Sequence, residues 1–208
     1  MTDEVTVGVS VASCWQRFHG CDPEYIRDVC HGRCCDAPSR PGGTMVTIHR
    51  SEQAAIEARG GIVADGLLVT TGTANRKCTF KDPAGLCGLH FTPDKPFGCI
   101  ASPFTIAPGG RTLVVRNRYR SLVCYTATSA RRGDDVSGFM PAYVAFRASL
   151  DLILGVDVAA WLCDTLDVYG DPKAPGYTGP AQIAVQVPRG TYEMLVDNDH
   201  TKQAAKIP

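Results

Sequence analysis

Eight of the ten cysteines in this 208-residue chain lie between residues 14 and 99, and most of them fall into two groups. The two groups, with the thiol that follows them, are Cys21, Cys30, Cys34, Cys35, Cys78, Cys87, Cys99 and Cys124. A medium-sized domain can bury a core without disulfides, so size alone does not call for so many thiols. Reduced thiols in this number indicate metal binding or catalysis, and we predict a thiolate metal centre.

The spacing of the cysteines bears on which metal is bound. Structural zinc sites usually contain Cys-x2-Cys knuckles, and this chain has no Cys-x2-Cys. Widely and irregularly spaced thiolates suit an iron–sulfur cluster such as 4Fe-4S, which takes its ligands from several loops. We therefore favour iron–sulfur and keep zinc as the alternative. In an exported protein the ten cysteines could instead form up to five disulfides.

Individual residues near the two groups leave alternatives open. In an extended chain, Cys34 and Cys35 would point to opposite sides, which favours a cluster or two centres over one shared ion. His31 or His90 could replace a thiolate, although a hydrogen-bonding histidine is the commoner case. Cys124 lies in an apolar context that suits core packing as well as ligation. Cys163 is expected in the core, and Cys14, beside Trp15, could be a core residue as readily as a ligand.

The elements that must position these thiols are short. Asp22-Pro23-Glu24 is typical of a helix start, with the helix ending before Gly32. Pro108-Gly109-Gly110 predicts a hairpin, and residues 140–168 predict one or two buried helices broken near Gly155. These patterns predict an α+β fold. It comprises a small, irregular, metal-organised domain over residues 1–135 and a helical C-terminal extension with a polar tail over residues 136–208.

The cysteine pattern resembles the CxxCxxCC proteins, which are described as zinc- or iron-chelating and whose relatives include flagellin lysine N-methylases. Their cysteine group ends in Cys-Cys, a strand and a Thr/Glu-bearing helix start follow, and a second block reads Cys-x-Phe, Gly-x-Cys, Arg-Pro-x-x-Cys and Pro. The matching residues are Cys30, Cys34, Cys35, Val46, Thr47, Glu52, Cys78, Phe80, Gly85, Cys87, Lys95, Pro96, Cys99 and Pro103. The resemblance implies a metal site and, more remotely, protein lysine methylation.

Charge limits the classes of partner. The formal net charge is zero, which argues against a protein built mainly to bind nucleic acid or an anionic membrane. On a strand, Arg116, Arg118 and Arg120 would share one face and could bind a protein or phosphate-bearing partner. The simpler alternative is a solvated face, or one that pairs with the acidic segment 151–171.

No stretch of apolar residues approaches the length of a membrane span. The acidic start, Met-Thr-Asp-Glu, is unlike a signal peptide, so we expect a cytoplasmic protein.

Two functional hypotheses remain from the sequence. In the first, the centre is structural and the protein is an accessory or metal-binding module. In the second, the iron–sulfur centre supports group transfer, such as methylation of a protein lysine, as the resemblance implies. No dinucleotide, nucleotide-triphosphate, zinc-protease or hydrolase motif is present, and no cosubstrate motif is visible. We place the binding module first for that reason, and leave open whether the protein is an enzyme.

Overall fold

The computed structural model describes residues 3–36, 44–69, 78–90 and 92–197. The strands in these ranges are β1 (Glu4–Ser10), β2 (Arg17–Phe18), β3 (Thr44–Thr47), β4 (Val63–Ala64), β5 (Leu67–Val69), β6 (Phe104–Ile106), β7 (Thr112–Val115), β8 (Met140–Pro141) and β9 (Gln182–Pro188). The α-helices are α1 (Val11–Cys14), α2 (Pro23–Tyr25), α3 (Arg50–Ala58), α4 (Phe97–Ile100), α5 (Thr126–Ala130), α6 (Ala142–Ala145), α7 (Arg147–Leu154), α8 (Val156–Tyr169) and α9 (Arg189–Asp197). The predicted polar tail after Asp197 lies outside the described residues.

Helices and mixed sheets together make this an α+β fold, as the sequence predicts. Two compact units divide the described chain: residues 3–20 with 101–197, and the described residues between Cys21 and Ile100. The second unit is therefore inserted into the first along the chain. The sequence-based domain boundary at residue 135 lies within the first unit and stays a prediction.

The first unit is built on a four-stranded sheet of order β6-β7-β1-β9. β1 pairs antiparallel with β9 along its whole length, and Gly8 and Val9 pair in parallel with β7. Val7 and Val9 are buried, as are Ile183, Val185 and Val187 on β9, so alternate residues of both strands face the core. This alternation fixes the register of the two strands, because a shift by one residue would expose the apolar set.

The remaining elements of the first unit follow local sequence signals. β6 and β7 form the antiparallel hairpin predicted around Pro108-Gly109-Gly110. Gly155, at φ 81°, separates α7 from α8 at the predicted break. The apolar helices are buried along one side, with Leu150, Ile153, Leu162 and Leu166 inaccessible to solvent. The helical C-terminal part expected from the sequence is therefore present, with three helices between residues 142 and 169.

The second unit has a small core of its own. β5 lies between β3 and β4 in a three-stranded antiparallel sheet, with a turn at Asp65 and Gly66. The helix α3 begins with a capping box in which His49 is the cap and Glu52 bonds back to the His49 amide. The buried side chains are Val46, Ile48, Ile56, Leu68 and Leu89. This cluster supports the cysteine-bearing segments described next.

Candidate metal centre

Seven of the eight cysteines predicted as ligands belong to the second unit. They are Cys21, Cys30, Cys34, Cys35, Cys78, Cys87 and Cys99. The eighth, Cys124, is buried in the first unit, where its carbonyl oxygen accepts a hydrogen bond from the His19 amide at 2.9 Å. Its place in a ligand set stays a prediction. None of the ten cysteines forms a disulfide.

The first cysteine group is carried by a helix that changes its winding. Asp22 accepts a hydrogen bond from the Tyr25 amide and caps α2, with Pro23 at the first helical position, as predicted. The chain then continues as a π-helix, Ile26–Cys30, which brings Cys30 into a buried position. Short π segments are rare and often occur at functional sites.

Two consecutive left-handed residues separate Cys30 from the Cys-Cys pair. His31 has φ 50° and Gly32 has φ 57°, and Arg33–Cys35 follows as a 3-10 helix. The left-handed conformation is costly for His31 because it carries a Cβ atom. Cys30 and Cys34 nevertheless lie in the same region of the unit, because both raise the pKa of the Cys21 thiol, after the larger effect of burial.

The Cys34 and Cys35 sulfur atoms lie 3.9 Å apart. The expectation that adjacent thiols point to opposite sides is wrong here, because residues 33–35 form a 3-10 turn and not an extended strand. Two thiolates on one tetrahedral zinc ion would be about 3.8 Å apart, from Zn–S bonds of about 2.3 Å. The spacing of this pair therefore fits two ligands of a single ion.

The second cysteine group is carried by a tight loop and a short helix. Gly88 donates to the Phe80 carbonyl oxygen at 2.7 Å, and Lys81 and Cys87 form an isolated antiparallel bridge. Asp82 orders the tip of this loop by accepting from the Leu86 amide at 2.8 Å. The third thiol of the group, Cys99, lies on α4. All three of its cysteines, Cys78, Cys87 and Cys99, pack against the apolar cluster of the unit.

Backbone contacts bring the two groups together. The Cys78 amide donates to the Cys35 carbonyl oxygen at 3.2 Å. A Cβ atom on Gly32 would collide with the Gly85 carbonyl oxygen, and one on Gly85 would lie 2.5 Å from the His31 carbonyl carbon. Only glycine fits at both positions, because each also has a positive φ. The two cysteine-bearing loops are thus in direct backbone contact.

An ion pair between a buried lysine and a partly exposed aspartate joins the same loops. The Lys81 ammonium lies 2.5 Å from Asp36 Oδ1, and only 4% of the Lys81 side chain is exposed. A buried lysine needs such a partner, since an unpaired charge away from water is strongly destabilising. Sequence reasoning missed this pair, because 45 residues separate its members.

Burial and neighbouring thiols raise the pKa of several of these cysteines, which keeps the thiols of Cys35, Cys78 and Cys99 protonated at neutral pH. Desolvation raises the pKa of Cys99 to about 12, with further increases from Cys78 and Cys87. The hydrogen bond between the Cys34 and Cys35 thiols raises the pKa of Cys35, and burial raises it further. Each metal–thiolate bond in this group would therefore displace a proton.

Two lysines lower the pKa of nearby thiols. Lys81 lowers the pKa of Cys78, although burial raises it overall. Lys95 lowers the pKa of Cys99 and of Cys21, although burial, Cys34 and Cys30 raise the latter to about 12. Cys21 is exposed as a residue, so its thiol lies at the edge of the group. Positive charges at these positions would stabilise thiolates bound to a metal.

His31 and His90, the two histidines next to the cysteines in the sequence, are held by other contacts. His90 Nδ1 accepts a hydrogen bond from the Lys95 ammonium at 3.0 Å, and burial, then Lys95, lowers the pKa of the imidazole. His31 is exposed, and its backbone forms the contact with Gly85. Across the described ranges, no three or more His, Cys, Asp or Glu side chains are arranged as a group that could hold a metal ion.

The arginines expected on a strand do not lie on one. β7 ends at Val115, and Asn117–Ser121 is a 3-10 helix, so the predicted alternation of Arg116, Arg118 and Arg120 is wrong. A three-residue turn spreads successive side chains around its axis instead of aligning alternate ones. Arg120 donates to Gln16 at 3.3 Å, and Arg118 lies over the Tyr119 ring. A partner at these arginines stays a prediction.

Comparison of the chain with protein-family models, with curated proteins and with solved structures gave no match. The resemblance to the CxxCxxCC proteins accordingly stays a prediction. Within the described ranges, no helix has both the length and the apolar composition needed to cross a bilayer.

Proposed function

We propose that the second unit binds a metal through cysteine thiolates drawn from both groups. The observation that carries the proposal is the direct contact of the two cysteine-bearing loops, at Gly32 with Gly85 and at Cys35 with Cys78. The proposed thiolate ligands are Cys30, Cys34, Cys35, Cys78, Cys87 and Cys99. Binding requires their side chains to turn towards a common point and to lose their protons.

Two metals suit these donors. An iron–sulfur cluster accepts thiolates from several irregular loops, which is the arrangement of the backbone here. A single zinc ion is favoured by one specific observation, the 3.9 Å between the Cys34 and Cys35 sulfur atoms. In either case the ligation energy would add to the folding energy of the loops, which have only a small apolar cluster beneath them.

The role proposed for the centre is that of an accessory or metal-binding module in the cytoplasm, where thiols stay reduced. The second candidate is a cluster-dependent group-transfer enzyme, such as a protein lysine N-methyltransferase. An enzyme needs an open ligand position or a cosubstrate pocket at the metal. Titration calorimetry with S-adenosylmethionine on the metal-loaded protein separates the two, because the binding module gives no heat of binding.

The test of the metal centre is anaerobic purification followed by analysis of iron, zinc and acid-labile sulfide. An iron–sulfur protein is brown, absorbs in the visible region and contains sulfide. A zinc protein is colourless and contains stoichiometric zinc. Metal-free protein, after growth and reconstitution with both metals, would refute the proposal.

A further inference from the structure

The exposed side of α8 carries a row of alternating acidic and apolar residues, which we call the α8 seam. Asp157, Trp161, Asp164 and Val168 follow one another at i, i+4, i+7 and i+11, so they line one side of the helix. The opposite side, with Leu162 and Leu166, is buried in the first unit. Eleven residues of helix extend the seam over about 16 Å, or three turns.

The apolar members of this α8 seam are unusually accessible. Val168 is 84% exposed and Trp161 is 50% exposed. At the start of the helix Val156 is 65% exposed, and Tyr169 at its end is 44% exposed. Val156 and Tyr169 flank the seam and Val168 lies on it with Trp161. Single exposed apolar residues are ordinary, but a half-exposed tryptophan on the same helix face as an exposed valine is typical of an interaction surface.

The seam is also negatively charged. α8 contains no lysine or arginine, and Asp157 and Asp164 are exposed. Among the described residues, no ion pair or side-chain hydrogen bond engages the carboxylate of Asp157 or of Asp164. The charge of the surrounding segment has the same sign, since residues 151–208 contain four Lys/Arg and eight Asp/Glu. The complementary surface is therefore basic as well as apolar.

We propose that the α8 seam is the docking site for a basic amphipathic helix of a partner protein. Lysine or arginine residues at heptad spacing would meet Asp157 and Asp164, while apolar residues between them would cover Trp161 and Val168. An arginine of the partner can also stack on the Trp161 ring. This proposal is independent of the metal centre.

Charge decides against a second copy of this chain as the occupant. A symmetric dimer through the seam would gather four aspartates in one small contact, because a two-fold contact is made by the same patch on both subunits. Parallel helices would place aspartates opposite aspartates, and antiparallel helices would place them against Trp161 and Val168 without a positive partner, so both arrangements oppose such a dimer. One face of a three-turn helix is also smaller than the surface that a stable dimer buries, so the contact suits a transient partner.

The experiment titrates the full-length protein with a fluorescent helical peptide that repeats Leu and Arg at heptad spacing. Fluorescence anisotropy in low salt should report saturable binding that weakens as NaCl is added. A peptide with Glu in place of Arg should not bind. The charge-reversal variant Asp157→Lys/Asp164→Lys should lower the affinity by about tenfold or more.

Matched variants separate the seam from the general charge of the protein. Glu57→Lys/Glu193→Lys makes the same change in net charge on exposed sites of α3 and α9, and should change the affinity by less than about twofold. Trp161→Ser should weaken binding, whereas Ile62→Ser, at a residue 55% exposed in the other unit, should not. Circular dichroism confirms that each variant is folded.

Three results would overturn the proposal. One is failure of the basic peptide to bind the unaltered protein. Another is an equal loss of affinity in the two charge-reversal variants, which would indicate nonspecific attraction. The third is concentration-dependent self-association that Trp161→Ser abolishes, because a second copy would then occupy the seam.

Discussion

At the scale of single residues, two glycines decide whether the cysteine groups can meet. Gly32 and Gly85 allow the backbones of two loops, more than fifty positions apart in the chain, to touch. Both have positive φ, so a side chain at either position would meet strain as well as a clash. The proposed metal centre therefore depends on these two glycines as well as on the thiols.

Gly85→Ala is expected to destabilise the second unit and to lower its metal content. Its new Cβ would lie 2.5 Å from the His31 carbonyl carbon, so the loops would have to separate. The matched control is Gly60→Ala in the same unit, which has φ 85° and nothing within 4 Å of its Cβ position. Urea unfolding should show a further loss of about 1–3 kcal/mol for Gly85→Ala relative to this control. Equal losses would show that the loops are not in contact.

Cys99→Ser is expected to lose bound metal, whereas Cys163→Ser should keep it at full stoichiometry. Cys99 lies with the other thiols of the second unit, and Cys163 is buried in α8 of the first. Elemental analysis after anaerobic purification provides the measurement. Cys99→Ala distinguishes the lost ligand from the cost of a buried hydroxyl, since it should lose metal to the same extent. Full retention of metal in both Cys99 variants would exclude Cys99 as a ligand.

Cys14 should make the protein less stable at alkaline pH. Burial raises the pKa of its thiol from 9.0 to about 12, with a smaller contribution from Cys163. The unfolded thiol ionises first, so stability is lost as the pH rises from 9 towards 12, by up to about 1.4 kcal/mol per pH unit. Urea unfolding under reducing conditions at pH 8, 9 and 10 should show a shallower decline for Cys14→Ala. If the free energy of unfolding falls equally with pH in the unaltered protein and in Cys14→Ala, Cys14 does not cause the alkaline loss of stability.

At the scale of the elements, one carboxylate joins two helices of the second unit. Glu52 Oε2 accepts from the His49 amide at 2.9 Å, and Oε1 accepts from the Phe97 amide at 2.6 Å. The same side chain thus caps α3 and holds the first residue of α4, the helix that carries Cys99. Orphan amides at helix starts need such acceptors.

Glu52→Ala is therefore expected to cost about 1–3 kcal/mol, because two backbone amides lose their partner. Glu52→Gln should cost less, since its one amide oxygen can replace one of the two bonds. Glu57→Ala is the control on the same helix, because Glu57 bonds only the side chain of Gln53 among the described contacts. Chemical unfolding measures all three. If Glu57→Ala lowers the free energy of unfolding as much as Glu52→Ala does, the hydrogen bond from the Phe97 amide to Glu52 does not stabilise the protein.

At the scale of the whole molecule, the two units differ in what stabilises them. The first has a four-stranded sheet whose two longest strands pair over seven residues, covered by buried helices. The second has short strands and a small apolar cluster on which three cysteines pack. Ligation should consequently matter to the second unit and little to the first.

Removal of the metal by a chelator is expected to increase hydrogen exchange of amides between Cys78 and Cys99. Amides of the β1 and β9 ladder should keep their protection, because their hydrogen bonds do not depend on the thiols. Mass spectrometry of exchanged peptides measures both regions in one sample, and restoring the metal should restore protection. An equal increase in both regions would contradict separate stabilisation of the units.

The features that the sequence predicts correctly depend on neighbouring residues. Asp22 and Pro23 start a helix, glycines at 109 and 110 turn a hairpin, and Gly155 separates two helices, each through local backbone geometry. The thiol content indicates soft-metal chemistry without reference to the fold, and this chemistry stays a prediction. Local errors arose where the backbone winding changed, at the Cys34–Cys35 turn and at Arg116–Arg120.

The features that only the tertiary structure decided join residues far apart in the chain. β1 pairs with β9 across about 180 residues, Cys78 meets Cys35, and buried Lys81 pairs with Asp36. Such contacts depend on which surfaces can be buried together, and no local pattern encodes that choice. The residue types by themselves determined which side-chain chemistry is available to this protein, whereas long-range packing decided which cysteines belong to the same unit.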